Sequence, residues 1–469
     1  MPDKKTSPEP WGGITPRLCR GTVSILAVML LAVLATLTVS FAQFTNLNLR
    51  KGDNFRKAMD ARLTAESGLE FMLYQLRRVR LPGDTTDTTL LANLTAALGD
   101  RLDGTPNLAG ITVTNTGSAA YVPPVQLEEG RTFCCWITPV VSGLCRLKVR
   151  GSAGGLDRYL TMDLALSPKL PLVFNYGLAS RGTIEVSGHT KIVGVNYPTE
   201  ANVFSASAGG TAIQVKGSGV TISGDLFVSG EESAVAITGS PRIAGSCDPA
   251  TVSEHIHFGA EPPDFPELNT EPLAALATNV VDSSTDMSSG QTFSNIRIAA
   301  GTNPNFTSDT VINGVVYVEA PNIVTFSGHA TINGLIVTED NDLPADQCQL
   351  HFSGTLDAAG VEALPDTEEF AAVKQQTGTF VLAPGFAATF SGNFSTVNGS
   401  IMADQLTFSG TAEGVINGGV IGLTDLPTEL AGNVEIYVDR SDQDPDPAGI
   451  VKPIALETVP NSYTELTGE

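Results

Sequence analysis

The residues able to do chemistry are few and far apart. Five histidines and six cysteines are spread over 469 residues. His255 and His257, in the run EHIHF, stand two apart, so a strand would put both imidazoles on one face. Two such groups can begin a metal site, but a third donor is needed and none stands nearby, so no metal is expected. Cys134, Cys135 and Cys145 lie close in sequence, with Cys19 before them and Cys247 and Cys348 after, and no CxxC pair occurs. Zinc is therefore not expected, and outside the reducing cytoplasm Cys145 could bridge to Cys134 or Cys135. Asp442, Asp444 and Asp446 imitate the opening of a calcium loop. Pro447 takes its glycine position and Pro453 its closing glutamate, so an EF-hand fails.

Catalytic constellations are missing as well. Between 174 and 438 the lysines and arginines are Arg181, Lys191, Lys216, Arg242, Arg297 and Lys374, scattered singly. No GxSxG, HExxH or phosphate loop is present. Asp309, Glu319, Asp340 and Asp342 sit where solvated loops would carry them. A carboxylate pair could still assemble from distant segments, but no enzyme, catalytic residue or cofactor is read from the sequence.

Charge narrows the partners. The net charge is -23, and it is uneven. Through Arg80 there are 12 Lys/Arg against 6 Asp/Glu; the remainder has 15 against 44. No basic stripe follows Arg80, which argues against nucleic acid as a partner, because phosphate contact needs clustered cations.

The element that positions everything else is apolar. Residues 21–49 carry no charge, and Leu26, Leu30 and Leu34 stand in a core long enough to cross a bilayer as a helix. Lys4, Lys5, Arg17 and Arg20 precede it, as a cytoplasmic start requires, although Arg50, Lys51, Arg56 and Lys57 follow it. Three fates compete for this segment. Ser40-Phe41-Ala42 would suit a secretory signal peptide cut after Ala42; the helix could remain as a plain anchor; or the chain could be cut at its cytoplasmic edge. Beyond the span, Phe55, Met59, Leu63, Leu69, Met72 and Leu76 recur near helical spacing among charged residues, so one helix over 22–80 would reach roughly 90 Å.

With Arg20-Gly21 ahead of the apolar run and AMDARLTAESGLEFMLYQLRR beyond it, the chain resembles the type IV pilin and pseudopilin superfamily, in particular its PilX-like minor members. The resemblance implies cleavage by a prepilin peptidase between Gly21 and Thr22, with the apolar helix kept in the mature protein. It implies other pilin-like subunits as partners, single-pass residence in a bacterial inner membrane, and a body that is periplasmic or extracellular. Most pilins carry Glu at the fifth mature position, and this chain has Leu26 there, which places it by analogy with minor or tip subunits.

After the helix, ITVTNT, TFCCWITPV, CRLKVRGSA and RYLTMDLAL alternate polar and apolar residues between turn signals, and predict a small antiparallel sheet. From about 174 to 438 the chain repeats itself. The strongest copies are TFSGHATINGLIVTED from Thr325, TFSGNFSTVNGSIMAD from Thr389 and TFSGTAEGVINGGVIG from Thr407, with looser ones from Ile184, Val220, Val311 and His351. Short apolar runs ending in Ser-Gly or Asn-Gly suit a coil of three strands with sharp corners, and predict a right-handed parallel β-helix of about 11 coils and about 50 Å, with a propeller or sandwich as the alternative. Phe326, Phe390 and Phe408 occupy matching places, and are expected to stack in one core column. The layout resembles an uncharacterised β-helical family joined to PilX-like N-termini in bacterial surface proteins and, more distantly, the bactofilin scaffolds.

The chain is thus expected to be mainly β. It divides into a leader (1–21), a transmembrane and amphipathic helix (22–80), a small pilin-like α+β segment with an antiparallel sheet (81–170), a parallel β-helix (171–440) interrupted by a strap (246–282), and an acidic flexible tail (441–469). The function read from it is that of a non-catalytic, tip-type subunit of a type IV pilus or type II secretion-like filament, displaying the β-helix for adhesion or assembly. The alternative is a membrane-tethered β-helical protein that binds or degrades polysaccharide, and surface polysaccharide is a candidate partner under either reading.

Overall fold

The computed structural model describes residues 20–287, 290–307, 309–440 and 446–466. They form two compact units. The first comprises the chain up to Arg78, Leu94–Ala165 and the residues from Glu457 on; the second comprises Val79–Asn93 and Leu166–Leu456. The second is therefore largely an insertion in the first.

In the first unit, helix α1 (Arg20–Leu76) is continuous over 57 residues, about 86 Å. Its last third is amphipathic: Ala61, Ala65, Leu69, Met72, Leu73 and Leu76 are buried. Beside it lies a meander of Ala120–Glu128, Arg131–Val141, Leu144–Ala153 and Leu156–Pro168, each strand antiparallel to the next. Helix and sheet approach so closely that a Cβ at Gly151 would stand 2.2 Å from the Ala65 nitrogen, a contact that only glycine permits. Of the predicted runs, ITVTNT contributes only Thr114–Asn115, and the other three are long strands. Thr464–Leu466 adds to the sheet on the strand containing Tyr159.

The second unit is a parallel β-helix with three faces. On one face, eleven strands pair in parallel succession among the described residues, from Asn279–Val281 at one end to Ile256–His257 at the other. Ten spacings of about 4.8 Å give a stack of about 48 Å. Residues of the core column pair coil upon coil: Phe306 with Phe326, Phe326 with Phe352, Phe352 with Phe390, and Phe390 with Phe408.

The coils do not follow one another in chain order. The first coil (Leu178–Ser180, Ile184–Ser187, Lys191–Gly194) lies in mid-stack, with Leu178 paired to Val203 on one side and to Val420 on the other. From there the chain climbs to Ile256–His257. It then returns along the outside as the strap and restarts at Asn279–Val281, the far end. It climbs again until its last coil (Val420–Gly422, Thr428–Leu430, Glu435–Asp439) docks on the first. His189 and Lys191 donate backbone hydrogen bonds across this seam to Gly432 and Val434, both at 2.7 Å. The ends of the inserted segment meet as well, for the Lys169 amide donates to the Pro453 carbonyl at 2.9 Å.

Two kinds of corner underlie the repeats. Copies from Ile184, Thr325, His351, Thr389 and Thr407 turn at Ser-Gly out of the phenylalanine face. Those from Val220 and Val311 leave the next face instead, the latter at Asn-Gly. At Asn-Gly corners the side chains form ladders: Asn333 donates to Asn313 at 2.9 Å and Asn417 to Asn398 at 2.6 Å. The strap earns its place by covering: one face carries outward Ala179, Phe204, Leu335, Leu382 and Ile421, and Phe265, Leu273 and Ala277 pack on that layer. Val252 in the short helix Pro249–Glu254 packs on the core near one end of the stack, and Met287 does so near the other.

The described part of the tail, 446–466, differs from the flexible segment expected over 441–469. Ile450–Val451 pairs with Glu267–Leu268 of the strap, and Ile454–Thr458 pairs with Arg80–Leu81. Its apolar residues explain the order, since Ala455 and Leu456 are buried. Asp442 and Asp444 lie outside the described residues.

Candidate functional site

The clearest unsatisfied surface is on α1. Leu26 is 70% exposed, and Leu30 and Leu34 are exposed with it, in a segment of mean hydropathy 2.5 none of which is buried. Four of its hydroxyls are satisfied within the helix: Thr36, Thr38, Ser40 and Thr45 donate to carbonyls three or four residues back, at 2.6–2.9 Å. A helix so arranged asks nothing of water and fits hydrocarbon. The apolar surface then outlasts the span. Phe55, Met59 and Leu63 are 71%, 44% and 48% exposed, spaced four apart along one side. The six residues read as one amphipathic stripe divide in two, for Leu69, Met72 and Leu76 are buried. The expected cut between Gly21 and Thr22 falls in the first turn of α1, and the leader before Arg20 lies outside the described residues.

Among the described residues no cysteine forms a disulfide. The bridge expected from Cys145 to Cys134 or Cys135 is ruled out by hairpin register: Cys145 stands opposite Pro139, whereas Cys135 and Cys134 stand opposite Val149 and Arg150. Four residues along a strand is about 13 Å, well beyond the roughly 7 Å limit between Cα atoms of a disulfide. Burial pushes the thiols of Cys134 and Cys135 up, so neither is a ready nucleophile.

On the β-helix, Phe326, Phe390 and Phe408 are buried in a single stack that also holds Phe306 and Phe352, with successive centroids 4.5–5.1 Å apart. His255 and His257 do share one side of their segment, and what they meet is Asp225. Nδ1 of His255 lies 2.8 Å from one carboxylate oxygen and Nε2 of His257 lies 2.9 Å from the other. The imidazoles are thus engaged by a carboxylate thirty residues away, which no local motif announces. Among the described residues no three His, Cys, Asp or Glu are grouped to hold a metal.

A second cluster joins His329, Asp357 and Ser395 from successive coils. Ser395 donates to Asp357 at 2.7 Å, and Nε2 of His329 lies 2.7 Å from the other oxygen. These contacts hold the Asp357 carboxyl below its usual range, and Asp357 raises the His329 imidazole. The carboxylate sits between serine and histidine. An activated serine needs the imidazole in that middle place, so this arrangement lacks the nucleophilic geometry. Sequence reasoning missed Asp404 altogether. It follows Met402-Ala403 on a core strand, and burial raises its carboxyl to about 6, with Asp340 and Asp342 adding to the effect and Arg181 opposing it. A cavity of about 180 Å³ between Arg80, Pro82, Asp264, Phe265 and Val451 falls below the roughly 300 Å³ at which small-molecule pockets begin.

No family model matches the chain. Among curated proteins none matches either. Among solved structures, the competence-associated pilin ComZ from Thermus thermophilus aligns over 87% of this chain and 97% of that one, at 11% identity and a TM-score of 0.22. A likeness at that score fixes neither fold nor function.

Proposed function

We propose that the chain is a non-catalytic minor subunit of a type IV pilus or type II secretion-like filament. In this reading a prepilin peptidase cuts between Gly21 and Thr22, the helix packs among other pilin-like subunits, and the β-helix is displayed outside the cell. The observation that carries it is the length of the exposed apolar surface on α1. Exposed apolar residues run from Ile25 to Leu49 and, after the interruption at 50–54, resume at Phe55, Met59 and Leu63, so they extend over about 57 Å of helix against about 30 Å of bilayer hydrocarbon. A signal peptide or plain anchor has no use for the excess; packing against neighbouring helices covers it. Leu26 favours a tip position, because it brings no carboxylate to neutralise a neighbour's amine within an apolar shaft.

N-terminal sequencing of membrane-extracted protein tests the processing, with Thr22 expected first; Gln43 instead would establish a secretory signal and end the filament reading. Immunogold labelling of sheared filaments tests position, and dense labelling along the shaft would defeat the tip model. The alternative, an envelope-tethered protein acting on polysaccharide, draws its support from Asp404, whose carboxyl near Asp340 and Asp342 titrates where a general acid would.

A further inference from the structure

Immediately beyond the apolar segment, α1 carries Arg50 and Lys51, both exposed and both without an ion-pair partner among the described residues. The next two cations are not free in this way. Arg56 and Lys57 both pair with Asp53, at 2.9 and 2.8 Å. The Lys57 stem also lies where a Cβ on Gly154, in the turn after Leu144–Ala153, would meet it, so this side chain packs against the sheet. Gly52 has nothing near it, so the helix stands clear of the sheet where Arg50 and Lys51 project.

The spacing along the helix is informative. Residues 25–42 hold only apolar residues and the hydroxyls of Thr36, Thr38 and Ser40, bonded back to the helix, and span about 27 Å, close to the thickness of bilayer hydrocarbon. Gln43, Thr45, Asn46 and Asn48 follow, polar and uncharged, over the next 10 Å or so. Before the cut at Gly21, Arg20 and Arg50 stand 30 residues apart on one unbroken helix, about 45 Å, and after it the Thr22 terminus stands about 42 Å from Arg50; both match the roughly 40–45 Å between the headgroup layers of a bilayer. Headgroup phosphates lie at that depth in a bilayer.

We propose that Arg50 and Lys51 form a binding collar for anionic phospholipid headgroups of the outer leaflet, fixing the depth of α1 before the subunit enters any assembly. The proposal rests on the reading of α1 as membrane-inserted. It accounts for cations on the far side of the span, where the distribution of loop charge alone would not put them. Asp53 does not compete for the collar, since its two oxygens are held by Arg56 and Lys57.

The test uses the full chain reconstituted into phosphatidylcholine vesicles containing about a third phosphatidylglycerol, with trace spin-labelled phosphatidylglycerol or phosphatidylcholine. Electron paramagnetic resonance then reads which lipid is immobilised at the protein. Wild type should prefer phosphatidylglycerol, and R50Q/K51Q should reduce the preference several-fold, each lost charge counting for up to about fivefold. D53N/R56Q/K57Q, which removes the Asp53 carboxylate together with the cations that hold it, should leave it unchanged, and about 1 M salt should abolish it in wild type. Retained preference in R50Q/K51Q, or an equal loss in D53N/R56Q/K57Q, overturns the collar. Sodium carbonate extraction separates the two readings: release of the wild-type protein would overturn membrane insertion and the collar together, whereas retention with unchanged lipid preference overturns the collar alone.

Discussion

Replacing Phe390 by alanine asks whether the β-helix core is one continuous column. Phe390 is fully buried, stacked on Phe352 at 4.5 Å and on Phe408 at 5.0 Å, with Phe394 edge-on at 6.0 Å. Phe→Ala in a core costs about 3–5 kcal/mol, the spread reflecting how far the site can collapse. Here collapse is hindered. The coils above and below are held at fixed spacing by backbone ladders, Phe352 to Phe390 and Phe390 to Phe408, so the void persists and two aromatic stacks are lost. The cost should lie near the upper end, about 4–5 kcal/mol. Phe306→Ala supplies a gradient, because its ring is stacked on one side only, on Phe326, and should cost about 1 kcal/mol or more less. Thr389→Ala, pointing outward on the same strand, should stay within about 0.5 kcal/mol. Denaturant titration followed by circular dichroism reads all three. If Phe390→Ala is no worse than Thr389→Ala, the column has been assigned in the wrong register.

Three further outcomes follow from particular contacts. Because the Asp404 carboxyl is raised to about 6 from an ordinary value near 4, its burial costs stability that is absent below about pH 4 and complete above about pH 7. Asp404→Asn should therefore raise stability by about 1–2 kcal/mol at pH 7.5 and not at pH 4, read by melts at both. Gly188 has φ +77, and its Cβ would stand 2.4 Å from the Gly432 carbonyl oxygen across the seam, so Gly188→Ala should destabilise by about 2 kcal/mol or more in the same titration. Excising 170–452 and joining Lys169 to Pro453 through a two-glycine linker should leave the first unit folded, since those residues are hydrogen-bonded. Loss of its strand signal would show that the insertion is not separable.

Local pattern determined much about this protein. The long helix was legible because 29 uncharged residues and a following amphipathic run leave the backbone one way to satisfy itself. The small sheet was legible because alternation and turn residues act within a hairpin. The phenylalanine column was legible too, because Phe-Ser-Gly fixes both the inward residue and the corner after it, so equivalent copies must align. What lay beyond local pattern was which segment neighbours which. Every coil offers the next the same apolar interior and the same open ladder, so no residue near Leu178 says that Val420 will lie beside it. The same limit hid Asp225 from the two histidines, the burial of Asp404, the strands of the tail, and the register that keeps Cys145 from Cys134 and Cys135. Corners and spans are written in consecutive residues. The seam exists only where two stretches some 240 residues apart bury their edges against each other, and that pairing is decided when the whole stack closes.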